Sequence, residues 1–378
     1  MKDGWKEGQI GKLCDVIAGQ SPAGKYYNQN AEGLPFYQGK KNFGDQYLGK
    51  PSKWTTQTTK EAFAGDILMS VRAPVGPVNF STDHICIGRG LAAIRTNEKL
   101  NKNFLFYYLR LIEKDIAGNE GAVFPSINKS QIEALPIPLP PLEEQKRIVA
   151  ILDEAFEGID RAKQNAEKNL ANAKELFPSL KQRIFYSEGN AWPMVSLANS
   201  CEFFNGKAHE KCIDENGRYV VINSKYISSE GAVAKRSDNQ LFPLRKDDIV
   251  FVMSDVPKGK ALAKCFLVDA DGKYSLNQRI CAIRSDKFVT KYLFHHLNRH
   301  MYLLEFDNGE NQTNLRKGDI LDCPLFTPPI PIQEEVAEQL DEVEFAARSL
   351  AACISRKIDC MIELKQSILQ KAFAGELS

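Results

Sequence analysis

The chain repeats itself. Trp5 and Trp192, Cys14 and Cys201, and Gly19 and Gly206 each stand 187 residues apart. Further on, GRGLAAIR (88–95) faces NQRICAIR (277–284) and FLFYYL (104–109) faces YLFHHL (292–297). INKSQI (127–132) faces LRKGDI (315–320), and QKRIVAILDE (145–154) faces QEEVAEQLDE (333–342), with offsets of 188 or 189. Matches that keep their order with so little drift describe one unit of about 188 residues built twice, and any fold must place two copies of one frame.

Each copy reads in two parts. The first carries short strand-like runs, such as ILMSV (67–71) and DIVFVM (248–253), broken by Gly, Pro and Asn turns. It closes on a helical segment, NFLFYYLRLIEKDI (103–116) or KYLFHHLNRHMYLLEF (291–306). A proline-rich stop follows, PIPLPP (136–141) or PLFTPPIP (324–331), which ends the ladder and starts a helix. The second part is one long helix. Ile148, Leu152, Ala155, Ile159, Ala162, Ala166, Asn169, Ala173, Leu176 and Leu180 recur in steps of four and three, as do Val336, Leu340, Val343, Ala347, Leu350, Ile354, Lys357, Met361, Leu364 and Ile368. That is a coiled-coil seam, and each helix needs a partner for it. The first seam is rich in Ala and the second in larger residues. An antiparallel pairing with facing numbers totalling about 516 sets small against large, Ala155 against Met361 for instance. Pro178 predicts a kink or local break in the first helix.

Hydrophobic residues make up 43% and charged residues 26%, as in a soluble globular protein. No apolar run reaches the length of a membrane span, and MKDGWKEGQIGKL has no signal-peptide core, so a cytoplasmic location without membrane contact is expected. The nine cysteines include no C-x-x-C pair, which suits reduced thiols. A net charge of +1 gives no support of its own to nucleic-acid binding.

The catalytic motifs are thin. GQSPAGK (19–25) has P-loop spacing, but Tyr26 stands where Ser or Thr holds magnesium, and GKAHEK (206–211) keeps only the first glycine. His295, His296 and His300 invite a metal reading. Two of them replace Tyr107 and Tyr108 of the other copy, so aromatic packing is the better expectation. H-E-x-x-H, G-x-S-x-G, G-x-G-x-x-G and the Asn/Asp-Pro-Pro-Tyr/Phe signature of amino-methyltransferases are all absent. A chain without catalysis of its own is expected.

LPIPLPPLEEQKRIVAILDEAF (135–156), SILQKAFAGEL (367–377), GDILMSVRAPVG (65–76) and AGQSP (18–22) together resemble the specificity subunit of type I restriction–modification systems, over essentially the whole chain. The resemblance implies a non-catalytic subunit with two target recognition domains, each reading one half of a split, asymmetric site in double-stranded DNA. Two methyltransferase and two restriction subunits would assemble on it, bringing S-adenosylmethionine, ATP and magnesium, with no cofactor in this chain.

The expected fold is α+β: two similar mixed α/β target recognition domains separated by two long antiparallel coiled-coil helices in a pseudo-twofold repeat. The expected boundaries are 1–140 for the first reader, 141–188 for the central helix, 189–328 for the second reader and 329–378 for the C-terminal helix. Candidate DNA contacts are Arg, Lys, Asn and Gln in matching loops. They are Gln20, Gln38, Lys40, Lys41, Arg72 and Arg89 in the first reader, and Lys207, Asn223, Lys225, Lys258, Asn277, Gln278 and Arg279 in the second. SDVPKG (254–259) replaces SVRAPVG, with Asp255 near the place of Arg72, so this loop is not expected to act alike in the two copies. The rival expectations are a protein-binding scaffold without DNA readout and a stand-alone DNA-modifying enzyme.

Overall fold

The computed structural model describes residues 4–117, 126–186, 192–257 and 259–377. It divides into two compact units, one of residues 1–168 with 355–378 and the other of residues 169–354, so each unit holds a reader and part of both long helices.

The core of each reader is a four-stranded antiparallel sheet with the same strand order. In the first it runs Cys14–Ala18, Leu91–Thr96, Ile67–Ser70, Val78–Phe80. In the second it runs Glu202–Asn205, Ile280–Arg284, Ile249–Val252, Cys265–Leu267. The unbroken apolar runs have a simple cause: both faces of the sheet are buried. Ile67 and Met69 face the helical side while Leu68 faces the opposite core. Ile249 and Phe251 likewise alternate with Val250 and Val252. A second sheet in each reader contains a parallel pair, Phe36 with Cys86 in one and Val221 with Ser275 in the other. A short proline-bearing strand closes each reader, Pro136–Leu139 against Lys6–Gln9 and Pro324–Phe326 against Met194–Ser196.

The terminal helical segment of each reader is in two pieces rather than one. Lys102–Leu111 gives way to Glu113–Ala117 at Ile112. Thr290–Leu297 gives way to Met301–Leu304, with Arg299 between them in the left-handed region at φ 58°. We refer to Lys102–Leu111 and Thr290–Leu297 as the anchor helices. The long helices are 45 residues each, Leu142–Tyr186 and Ile330–Ala374. The expected break at Pro178 is absent; the central helix runs through it.

Three matched contacts fix each anchor helix, two on the long helix that follows its reader and one on the end of the other long helix. Gln145 is buried, accepts from Asn101 N–H at 2.8 Å and donates to Pro140 O at 2.9 Å. Gln333 does the same with Val289 N–H at 2.9 Å and Pro328 O at 2.8 Å. Tyr107 hydroxyl donates to Asp153 at 2.5 Å, and His295 Nε2 meets Asp341 at 2.7 Å. Phe373 packs on Phe104 and Tyr108, as Phe185 packs on Tyr292 and His296.

The long helices run antiparallel within each unit, but not in the register that seam volumes suggested. That register sets Asp160 across from residue 356. Its carboxylate instead holds the Lys365 ammonium, which also lies 5.1 Å from the centre of the Phe156 ring. The same offset recurs where Arg147 bonds Leu377 O and where Leu180 shares a groove with Val343, so the pairing is displaced by about two turns of 3.6 residues. The ends of the helices are set by their readers, through Phe373 and Phe185, and this outranks the small-against-large match along the seam.

The histidines pack as aromatics. His296 stacks on Phe185 at 4.4 Å and on Phe326 at 5.6 Å, and His300 lies 5.1 Å from His296. Among the described residues no three His, Cys, Asp or Glu side chains are grouped to hold a metal ion, and no helix is long and apolar enough to cross a membrane. Burial, with Lys181 nearby, holds His296 well below the usual histidine range and brings His300 down to about 4. The unfolded chain takes up these protons near pH 6.5 and the folded chain does not, so stability is fullest above pH 6.5 and falls as pH drops toward 4. For His300 alone the loss approaches roughly 3 kcal/mol. The urea midpoint should fall over that window in the parent chain and much less in a His296→Phe/His300→Phe variant; equal slopes would reject this assignment.

Candidate nucleic-acid interface

The exposed loops of both readers hang from the same main-chain bonds. In the first, Gln20 N–H donates to Ile87 O at 3.0 Å, Gly88 N–H to Tyr37 O at 2.8 Å, Leu91 N–H to Gly88 O at 3.0 Å and Val71 N–H to Gly90 O at 3.0 Å. In the second, Lys207 N–H donates to Leu276 O at 3.0 Å, Asn277 N–H to Ile222 O at 3.1 Å, Ile280 N–H to Asn277 O at 3.1 Å and Met253 N–H to Arg279 O at 3.4 Å. The repeated glycines explain themselves here. A Cβ on Gly19 would lie 2.3 Å from Gly88 O, and one on Gly206 would lie 2.1 Å from Asn277 O. Only glycine lets the opening turn approach the 88–90 or 277–279 loop so closely.

In the first reader this frame gathers Gln38, Lys40, Arg72 and Arg89 from three separate loops around one pocket of about 220 Å³. All four are exposed. The loop carrying Arg72 is held by Ser70, whose hydroxyl donates to Arg72 O at 3.2 Å or Pro74 O at 3.0 Å. Gln38 is placed by Gly90, whose N–H donates to Gln38 O at 3.1 Å. Among the described residues neither guanidinium is in an ion pair, and no carboxylate lines the pocket. Two guanidiniums, an ammonium and an amide, with Glu113 near Lys40 but outside the lining, can grip phosphate and read base edges. Gln20 is exposed on the opening turn, and its carbonyl accepts from the Thr59 hydroxyl. Lys41 is exposed in the turn Lys40–Asn42, outside the pocket lining.

The second reader uses the same frame with different chemistry. Lys207, Gln278 and Arg279 are exposed on its loops, and Lys225 is exposed on the short helix Ser224–Ser228. Asn223 caps the helix Ser224–Ser228, its oxygen accepting from Tyr226 N–H at 2.9 Å. Asn277 accepts from Arg279 N–H at 3.3 Å, and Gln278 donates to Glu210 at 3.2 Å. Three of the candidate amides thus already hold local bonds. Lys258 lies outside the described residues. The bridge of Arg72 with Ser126 has its counterpart in Ser254 with Asn314, so Ser254 holds the register position of Arg72. Asp255 beside it closes its own loop, accepting from Val256, Ala261 and Leu262 N–H. GQSPAGK leads into the short turn Gly24–Tyr26 and then a strand, not into the helix that a phosphate-cradling loop needs.

The family model of the type I restriction modification DNA specificity domain matches residues 2–169 and again 190–350. The chain belongs to this family. The putative type I restriction enzyme MjaX specificity subunit of Methanocaldococcus jannaschii is 43% identical over 180 residues, covering 47% of this chain and 42% of that protein. The chain thus spans less than half of that relative. The MjaVIII specificity subunit of the same organism is 25% identical over 373 residues, 90% of this chain and 86% of the relative. In fold, a chain from a structure describing complex assembly and conformational transition of the type I R-M system superposes with a TM-score of 0.84 at 19% identity, over 100% of this chain and 99% of the other. The HsdS subunit from Thermoanaerobacter tengcongensis gives 0.63 at 19% identity, covering 100% and 98%.

The arginines that repeat most faithfully in this specificity chain are not in the loops. Arg95 grips buried Asp66 with two bonds of 2.8 and 2.7 Å. Arg284 grips buried Asp248 in the same bidentate way. Arg95→Ala leaves buried Asp66 with its Phe63 N–H bond but no counter-charge and should cost about 1–3 kcal/mol of stability, read as a lower urea midpoint. An unchanged midpoint would show that Asp66 finds another partner.

Proposed function

We propose that this specificity subunit reads a split DNA site whose two halves differ, and does no chemistry on the DNA. The observation that carries this reading is the gathering of Gln38, Lys40, Arg72 and Arg89 around a pocket that no carboxylate lines, on a frame whose second copy carries other side chains. Arg suits guanine and Gln suits adenine, while Lys commonly meets phosphate. S-adenosylmethionine, ATP and magnesium belong, in this reading, to the partner subunits.

The helices supply the partner surface. In the second unit Leu176, Leu180, Val343, Ala347 and Leu350 line a groove of about 700 Å³, and Phe345, on another face of the same helix, is 75% exposed. Leu176 and Leu364 are equivalent at an offset of 188, and each is 49% exposed. Phe345 and Leu350 fall at the places of Glu157 and Ala162, so the two units match at this leucine alone. Exposed apolar surface on the long helices suits a methyltransferase subunit, to which the restriction subunits add.

Selection from a bipartite DNA library, with and without the methyltransferase partner, tests the reading. Enrichment of one split, non-palindromic sequence is expected. No enrichment would favour a protein-binding scaffold, and methyl transfer or cleavage by the chain alone would make it an enzyme. Arg72→Ala should weaken binding to the selected site by roughly 10- to 100-fold in a gel shift, with random DNA little affected. An equal loss on both would leave Arg72 only a phosphate role. Phe345→Glu with Leu350→Glu should weaken methyltransferase co-purification by more than about tenfold, with little change in the urea midpoint.

A further inference from the structure

The two units part company at one crevice, where the anchor helix ends beside the closing strand and the last turn of a long helix. In the second unit this crevice is filled with rings. Tyr186 lies edge-on to His300 at 5.6 Å, and its hydroxyl accepts from Met301 N–H at 3.3 Å. Phe326 stacks on His296 at 5.6 Å, and strand pairing sets Met194 across from Phe326.

The first unit builds the same frame without the plug. Phe373 takes the place of Phe185, and strand pairing sets Glu7 across from Pro138 as it sets Met194 across from Phe326. QRIFY (182–186) against QKAFA (370–374) puts Ala374 where Tyr186 stands. The same offset puts Pro138 where Phe326 stands and Ile112 where His300 stands. Three large rings have become Ala, Pro and Ile. A cavity of about 640 Å³ results, with Tyr108, Ile112, Ile137, Pro138, Phe373 and Ala374 in its wall. That is within the range of about 300–1,000 Å³ typical of ligand sites.

Its rim is charged. Glu7, Asp115 and Lys114 are exposed around the opening, two carboxylates to one ammonium. Burial and then both carboxylates raise the Tyr108 phenol above its usual range, so their field reaches the floor. Phe373 and Tyr108 offer ring faces and edges for an aromatic guest, and the acidic rim favours a cation beside it.

We propose that this cavity docks a segment of a partner protein that presents an aromatic side chain next to a lysine or arginine. The ring takes the place that Tyr186 takes in the second unit, and the basic neighbour meets Glu7 and Asp115. In the second unit a side chain of the polypeptide itself fills this place, which sets the occupant's chemistry as that of a protein side chain. The inference does not depend on which DNA the chain reads.

Titration calorimetry of the full chain with blocked tetrapeptides tests it. Acetyl-Gly-Tyr-Arg-Gly-amide should bind near about 1 mM, the scale of a short fragment, with Gly-Tyr-Glu-Gly and Gly-Ala-Arg-Gly at least about tenfold weaker. Ala374→Tyr supplies the second unit's plug and should abolish binding. Glu7→Gln, at an exposed position, should weaken the Tyr-Arg peptide several-fold and leave the urea midpoint unchanged. Failure of the parent chain to bind, or unchanged affinity in Ala374→Tyr, overturns the proposal. Should Ala374→Tyr not fold, unchanged affinity in Glu7→Gln overturns it by itself. Tyramine binding more tightly than the peptide would also overturn it, by assigning the site to a small aromatic amine.

Discussion

Gln145 and Gln333 each occupy the first turn of a long helix, where backbone N–H and C=O groups need outside partners. Each amide is buried, accepts from the residue that opens its anchor helix and donates to the carbonyl of a proline in the preceding stop. That one side chain joins three segments: the end of a sheet, the start of a short helix and the start of a long one. Placing an amide there lets the prolines, which cannot donate, still have their carbonyls bonded. The pairs Tyr107 with Asp153 and His295 with Asp341 then hold the anchor helix two turns further along.

Much of this was legible in the sequence. The repeat, the strand-like runs and the two long helices follow from matched residues and periodicity. The tyrosine-for-histidine exchange at 107/295 and 108/296 is enough to read the histidines as packed rings, as the stacking of His296 on Phe185 shows. Other features were hidden for physical reasons. Helix register depended on Phe373 and Phe185 at the helix ends, which a seam pattern does not weigh. The breaks in the terminal helical segments turned on single residues, Ile112 and Arg299, and Arg299 is not a residue type that signals a left-handed turn.

The candidate interface was legible in part. Gln38, Lys40, Arg72 and Arg89 converge on one pocket, because main-chain bonds bring their loops together. Asn223, Asn277 and Gln278 have the same composition signal, yet local partners hold part of their bonding capacity. An Asn before a short helix or in a tight turn often serves its own backbone. Phe345 lies off the seam positions 343, 347 and 350, on a face where an apolar residue has no helix partner to meet, and it is exposed.

The main-chain character of the loop attachments has a consequence for how such a chain changes over generations. The four bonds that fix the loops of each reader run between backbone groups, and the side-chain demand at their base is the absence of one, at Gly19, Gly90 and Gly206. A backbone donor is indifferent to the side chain it carries. Residues at 38, 72 and 89 can therefore be exchanged without loss of the bonds that position them, so mutation explores new surface chemistry at little cost to folding. The inheritance of the scaffold and the inheritance of its preference are, in this fold, nearly separate.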